Sequence, residues 1–144
     1  MSKVILITGT SSGFGRTIAE KLHSEGYTVI GTSRNAEKIS SDYLTIKLDI
    51  NDYEASKSEV DQIINKHGKI DVLINNAGIN ITGPIETIKM DDVKRVFDTN
   101  FFSQLNLIQT VLPHMRSKKK GLIINITSIA GYLGLPFWSA YCAS

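Results

Sequence analysis

The sequence predicts an α/β fold: an open, doubly wound parallel sheet of about five strands with flanking helices. Two observations lead to this prediction. Short continuous apolar runs, typical of strands buried on both faces, alternate along the chain with longer segments in which apolar residues recur at helical spacing. Such alternation favours right-handed βαβ units, because parallel strands must be joined by a crossover. In a sheet of this type, ligands bind at the carboxyl ends of the strands.

Length and composition fit one folded domain spanning residues 1–144. Hydrophobic residues make up 42% of the chain and charged residues 21%, with a formal net charge of +2. That balance does not favour a nucleic-acid partner, and no apolar run is long enough to cross a membrane. Cys142 is the single cysteine, which fits a reducing compartment. We therefore expect a cytoplasmic protein.

Three strands are predicted in the first half of the chain, at segments 4–7, 27–30 and 43–48. The helix between the first two has an apolar stripe that includes Phe14, and Gly26 is placed to end it. The polar stretch 33–42 leaves room only for a short helical turn.

A second helix is predicted to begin at Asn51, which forms a capping-box pattern with Glu54, and to end at Gly68. Segments 72–74 and 122–126 are the fourth and fifth strand candidates. Between them we predict one long helix, which Pro113 is expected to bend or end. Its inward face is predicted to carry Val93, Phe97, Phe101, Leu105, Ile108 and Leu112.

The turn after the first strand is rich in glycine and reads Thr8-Gly9-Thr10-Ser11-Ser12-Gly13-Phe14-Gly15. Glycine permits a tight turn and lets the backbone approach a pyrophosphate, to which the N-terminus of the following helix offers free N–H groups. A merely tight loop is the alternative interpretation. The position of the turn after the first strand favours a dinucleotide site.

The end of the second strand indicates which dinucleotide is bound. An acidic residue there would bond the ribose 2′-OH of NAD, whereas an Arg accommodates the 2′-phosphate of NADP. Segment 31–35 contains Arg34 and no carboxylate. The sequence therefore favours NADP(H) over NAD(H), with an ordinary solvated Arg as the alternative.

Four further features follow the glycine-rich turn in order. They are the run Asn75-Asn76-Ala77-Gly78 after the fourth strand, Asn100 on the long helix, Ser128 directly after the fifth strand, and Tyr141. Together, and over the whole chain, these motifs resemble the short-chain dehydrogenase/reductase family. The resemblance implies a Rossmann-like fold and NAD(P)-dependent interconversion of an alcohol and a carbonyl group on a small molecule. It also implies that the full-length protein is a homodimer or homotetramer.

The resemblance implies roles for individual residues. Tyr141 would be the general acid in reduction and the general base in oxidation, and Ser128 would hydrogen-bond the substrate oxygen. Asn100 would distort the long helix and hold a water in a proton relay; a core Asn satisfied by backbone is the alternative. No metal is expected. The cofactor would contact Gly9, Thr10, Ser11, Ser12, Gly13, Phe14, Gly15, Ser33, Arg34, Asp49, Ile50, Asn76, Ala77 and Gly78. For Asp49, a turn-forming role is the alternative.

One element of the family pattern lies outside the chain. The family places a Lys four residues after the Tyr, on the same helix face, where its charge stabilises the phenolate. That residue would be number 145, and the sequence ends at Ser144. Two hypotheses follow: the chain is a piece of a reductase without its later strands and substrate-binding segment, or it is a natural non-catalytic nucleotide-binding or partner-binding remnant. The presence of Ser128, Tyr141 and Asn100 favours the first.

Overall fold

The computed structural model describes residues 2–144, and its five strands form one parallel sheet. The strands are β1 (Val4–Ile7), β2 (Thr28–Ser33), β3 (Leu44–Lys47), β4 (Val72–Asn75) and β5 (Leu122–Asn125). Their spatial order is β3-β2-β1-β4-β5, and every neighbouring pair is parallel. The predicted α/β fold is confirmed.

The connections between strands contain the helices. These are α1 (Gly13–Ser24), α2 (Tyr53–His67), α3 (Met90–Phe97), a π-helical segment (Asp98–Phe102), α4 (Ser103–Ser117) and α5 (Ser139–Ala143). Short 3₁₀ turns at Ala36–Lys38 and Ile129–Gly131 complete the chain. The first of these turns lies in the polar stretch for which the sequence predicts only a short helical turn.

The hydrophobic core has two parts, one on each face of the sheet. Side chains alternate between the faces along β1, so that Leu6 joins one cluster and Ile7 the other. The cluster around Leu6 includes residues of α2 and α4, whereas the cluster around Ile7 includes Ala19 of α1. Helices on both faces make the sheet doubly wound.

Two helix ends follow the prediction, and one helix start does not. Gly26 and Gly68 follow α1 and α2 with φ of +86° and +77°, the left-handed conformation that glycine adopts most readily. The N-cap of α2 is Asp52 rather than Asn51: an Asp52 oxygen accepts from the Ala55 N–H at 2.9 Å. The Asn51 side chain instead hydrogen-bonds Thr99 and Ser103, on the helix that follows β4.

Most of the inward face predicted for the long helix is wrong, although Ile108 packs against the core. The buried positions are Val96, Thr99, Ser103, Leu107, Val111 and Met115, whereas Phe101, Leu105 and Leu112 are exposed. The buried Val96, Leu107 and Val111 each precede a predicted residue by one position, which is about 100° around the helix. The physical reason is that Thr99 and Ser103 belong to the buried face, because their hydroxyls hydrogen-bond Asn51. The helix also continues through Pro113 to Ser117. Pro113 and Gln109, whose carbonyl loses its backbone partner, both face solvent.

The direction of chain winding reverses beside β1. From β1 the chain steps outward to β2 and β3, and then returns to place β4 on the other side of β1. This reversal opens a crevice at the carboxyl ends of β1 and β4, the usual ligand position in an open α/β sheet.

Candidate functional site

A cleft of about 550 Å³ opens at this crevice, within the range of roughly 300–1,000 Å³ typical of ligand pockets. It brings together most of the predicted cofactor-binding residues, from four separate stretches of chain. Those lining it are Gly9, Ser11, Ser12, Phe14, Gly15, Ser33, Arg34, Asp49, Ile50, Asn76, Ala77 and Gly78.

Two of the predicted cofactor-binding residues do not line the cleft, and neither do the predicted catalytic residues Asn100, Ser128 and Tyr141. Thr10 is fully buried, its N–H donating to the Thr32 carbonyl at 2.9 Å and its own carbonyl accepting from the Tyr43 hydroxyl at 3.3 Å. Gly13 begins α1 with φ of +57°, a conformation strained for residues with a side chain. Thr10 therefore anchors the glycine-rich turn to β2, and Gly13 provides the left-handed backbone from which α1 begins.

Two glycines of the turn occupy positions with no space for a side chain. A Cβ on Gly9 would lie 2.9 Å from the Ala77 Cα, and Gly9 has φ of +72°. A Cβ on Gly15 would overlap the Asn76 amide and the Gly9 carbonyl oxygen. The turn therefore lies directly against the segment that follows β4, and any larger residue would force the two apart.

Hydrogen bonds fasten these two segments together. The Asn76 side-chain amide donates to the carbonyls of Thr8 and Gly9, at 2.9 and 3.0 Å. In return the Thr8 hydroxyl accepts from the backbone N–H groups of Asn76 and Ala77, both at 3.0 Å. These four hydrogen bonds hold the glycine-rich turn and the Asn76 segment in a fixed relative position beside the cleft.

The N-terminus of α1 faces the cleft and suits an anion. Its N-cap, Ser12, makes no side-chain capping bond within residues 2–144, and the first turn has no acidic residue. The first N–H groups of the helix and its positive dipole end therefore remain available to phosphate oxygens. Phe14, predicted on the inward stripe of this helix, is instead 77% exposed and lines the cleft.

Arg34 and Asp49 line another part of the cleft, beyond β2 and β3. Arg34 is exposed and follows Ser33, the last residue of β2. One Asp49 oxygen accepts from the Asn51 N–H at 3.0 Å, the contact expected of a turn-forming Asp. Asp49 therefore shapes the turn while it also lines the cleft.

Several cleft residues are absent from the sequence-based set: Thr32, Asn35, Leu48, Asn51, Ile79, Asn80, Arg95 and Thr99. Most are immediate neighbours of predicted residues, so wider segments around each motif would include them. Arg95 lies on α3, five residues before Asn100, and no motif in the sequence points to it.

Asn100 lies at the centre of the π-helical segment, as the implied distortion of the helix requires. Its amide forms a two-way bond with the backbone of Ile79: Oδ1 accepts from the Ile79 N–H and Nδ2 donates to the Ile79 carbonyl, both at 2.9 Å. Nδ2 also donates to the Ser144 hydroxyl at 2.9 Å. The Asn100 side chain is thus satisfied largely by backbone, which agrees with the alternative interpretation of this residue.

Ser128 and Tyr141 lie on two short helical pieces after β5. Ser128 caps the 3₁₀ turn, accepting from the Ala130 N–H at 3.1 Å. Tyr141 is half-buried on α5, with its ring edge-on to Trp138 at 5.5 Å between centroids. The Tyr141 carbonyl accepts from the Ser144 hydroxyl, so α5 connects to Asn100 through a single side chain.

Within residues 2–144, no three His, Cys, Asp or Glu side chains are grouped closely enough to hold a metal ion. None of the helices found there combines the length and apolarity needed to span a bilayer.

A doubly wound parallel sheet with a glycine-lined cleft at its reversal point defines a Rossmann-like protein. A family model described as short chain dehydrogenase matches residues 3–144. The chain belongs to the short-chain dehydrogenase/reductase family.

Known relatives agree with this assignment. The 3-ketodihydrosphingosine reductase of Bacteroides thetaiotaomicron is 42% identical over 142 residues, covering 99% of this chain and 53% of that protein. A short-chain dehydrogenase structure from Streptomyces avermitilis matches with a TM-score of 0.95 at 36% identity, covering 99% of this chain and 55% of that one. ElxO with NADP bound matches with a TM-score of 0.93 at 33% identity, covering 99% and 62%. The chain spans about half the length of the first curated relatives it matches.

Proposed function

We propose that this chain is part of an NADP(H)-dependent short-chain oxidoreductase that interconverts a carbonyl group and an alcohol by hydride transfer. The observation that carries the proposal is the cleft, where the glycine-rich turn, the Asn76 segment and Arg34 line one cavity. The family match and a structural neighbour with NADP bound support it. Because the matched relatives are about twice as long, the activity is proposed for the longer protein.

The cofactor would lie across the carboxyl ends of the strands. The N–H groups at the start of α1 suit the pyrophosphate, and the guanidinium of Arg34 suits the 2′-phosphate of NADP through charge and paired donors. Asp49 and Ile50 would border the adenosine half. When bound, the nicotinamide supplies the hydride, which the protein itself cannot provide.

The chain's own contribution to the chemistry would be proton transfer. We assign Tyr141 as the group that gives a proton to the substrate oxygen during reduction and removes it during oxidation. Ser128 would hydrogen-bond the same oxygen, and Asn100 would order the proton path. The link from Asn100 through Ser144 to the Tyr141 carbonyl supports a common role for these segments.

We propose a small molecule with a carbonyl or alcohol group as the substrate.

We also propose that the full-length protein is a homodimer or homotetramer. An exposed apolar stripe on the long helix supports this oligomeric state. It consists of Phe101, Phe102, Leu105 and Leu112, which lose solvent contact only if another surface covers them.

The cofactor proposal is tested by titrating the protein with NADPH and NADH. We expect tighter binding of NADPH, and we expect Arg34→Asp to weaken NADPH binding by about tenfold or more, since a phosphate would then face a carboxylate. NADH binding should change little or improve. Lys38→Asp, a similar charge change after the same strand but outside the cleft lining, is the matched control. Equal affinity of the Arg34→Asp protein and the unmodified protein for NADPH would contradict the assignment.

The catalytic proposal is tested on the protein encoded by the complete gene. We expect NADPH-dependent carbonyl reduction that Tyr141→Phe lowers by roughly a hundredfold or more in kcat, because the proton donor is removed. NADPH binding should be unchanged in that variant. The 144-residue chain alone is expected to bind NADPH weakly and to show no turnover. A stop codon after codon 144 would instead support the non-catalytic remnant, as would a longer protein that is inactive with every carbonyl substrate tried.

A further inference from the structure

Arg95 is a second cation at the cleft, from an element distant in sequence from Arg34. It lies on α3 and lines the same cavity. Its side chain is 63% exposed, and its Nη2 lies 3.0 Å from Asp92 Oδ1, one turn earlier on the same helix. An exposed ion pair of this kind contributes at most about 1 kcal/mol. The guanidinium is therefore free to exchange Asp92 for a ligand.

Hydrogen bonds determine which part of the cleft Arg95 overlooks. Thr99 is one helical turn after Arg95, on the same side of the helix, and also lines the cleft. The Thr99 hydroxyl accepts from the Asn51 amide at 3.0 Å, and the Ser103 hydroxyl donates to Asn51 Oδ1 at 2.7 Å. These bonds join the long helix to the segment after β3, so Arg95 lies over the side lined by Asp49 and Ile50.

Two cations therefore border the cleft from different elements. Arg34 follows β2, the position that faces the ribose 2′ group in a dinucleotide site. Arg95 comes from the helix bonded to the Asp49–Asn51 segment. If the proposed cofactor occupies the cleft, the group available on that side is the adenine ring, a flat π-system. A planar, weakly hydrated guanidinium stacks well on such a face.

We propose that Arg95 is a cofactor-binding residue whose guanidinium stacks on the adenine ring of the bound dinucleotide. The assignment rests on the proposed function and gives the two cations different roles. Arg34 distinguishes NADPH from NADH, whereas Arg95 contributes to the binding of both. The exchange from Asp92 to adenine requires only a side-chain rotation at the protein surface.

The test measures NADPH, NADH and AMP binding to the whole protein before and after Arg95→Ala. We expect all three affinities to fall by the same factor, about three- to tenfold, and the ratio of NADPH to NADH affinity to be unchanged. Arg34→Ala should change that ratio instead. Arg95→Lys should restore only part of the affinity, because an ammonium retains the charge but not the planar face.

Lys94→Ala is the matched control. Lys94 is an exposed cation adjacent to Arg95 that pairs with Asp91 and does not line the cleft, so its loss removes the same charge without changing the cleft lining. We expect it to leave the three affinities unchanged, and Asp92→Asn, which releases Arg95, to leave them unchanged or raise them.

Three results would overturn the assignment. They are unchanged affinities in Arg95→Ala, an equal loss in Lys94→Ala, and a loss confined to NADPH, which would place Arg95 on the 2′-phosphate. Failure of the unmodified protein to bind any dinucleotide would overturn the proposed function as well, so the two failures are distinguishable.

Discussion

Asp71 directly precedes β4 and bonds Val4, the first residue of the neighbouring strand β1. Its Oδ2 accepts from the Val4 N–H at 2.8 Å and lies 2.8 Å from the Lys69 ammonium, and its side chain is only 11% exposed. Burial raises the pKa of this carboxyl, but the bonds from Lys69 and Val4 and the charges of Lys69 and Lys120 outweigh burial and hold its pKa below the usual range. Folding therefore favours the ionised form.

This shift predicts a pH-dependent contribution to stability. A carboxyl whose pKa is lowered by folding stabilises the native state above its unfolded-state pKa, and the contribution is lost as the pH falls through the native-state pKa. Asp71→Asn should lower the free energy of unfolding by about 1–2 kcal/mol at pH 7, with the difference shrinking below about pH 4. Urea unfolding of the variant and of the unmodified protein, at pH 7 and again below about pH 4, measures the difference in unfolding free energy.

Asp91→Asn provides the comparison for Asp71, because the Asp91 side chain is 98% exposed. Its removal should change stability little at either pH. A pH-independent difference for Asp71→Asn would mean that the lost contact, rather than the charge, accounts for the effect.

At the scale of elements, the π-helical segment and the loop after β4 form one unit. Asn100 bonds both backbone groups of Ile79, and Gln104, one turn later, donates to the Ala77 carbonyl at 3.3 Å. The same loop contributes Ala77, Gly78 and Ile79 to the cleft. The side-chain amides of Asn100 and Gln104 thus fix the position of the loop that forms one wall of the cleft.

Replacement of Asn100 should therefore affect both stability and binding. In Asn100→Ala the Ile79 N–H and carbonyl lose their partners, and we expect a loss of about 1–3 kcal/mol in unfolding free energy with weaker NADPH binding. Thermal unfolding and NADPH titration measure the two effects. Gln109→Ala, at an exposed position of the same helix, is the control. If Asn100→Ala lowers kcat alone and leaves stability unchanged, the residue acts in the proton path and not as a support.

Helix ends were more predictable from the sequence than helix faces. Gly26 and Gly68 identify where α1 and α2 end, because the left-handed conformation selects glycine locally. Asn51 and Asp52 are adjacent and equally good caps, so local preference does not choose between them. The buried face of the long helix includes Thr99 and Ser103, whose hydroxyls bond Asn51, and the spacing of apolar residues does not reveal buried polar positions.

At the scale of the whole molecule, the sequence predicts which segments meet but not everything that borders them. Parallel strands place their carboxyl ends at one edge, so the segments of Gly9, Arg34, Asp49 and Asn76 were expected together. Arg95 reaches the same cleft only through the packing of its helix against the segment after β3, a tertiary contact that no local pattern encodes.

The π-helical segment also limits how the protein can change in length. An α-helix has about 3.6 residues per turn, whereas a π-helical turn, bonded from i to i+5, holds about one residue more. A single deletion within Asp98–Phe102 that restored regular winding would therefore leave α3 and α4 in nearly the same orientation, with Leu107 and Val111 in the core and Arg95 over the cleft. The deletion would instead remove the wide turn from which Asn100 bonds both backbone groups of Ile79, so the cleft wall at Ile79 would lose its support.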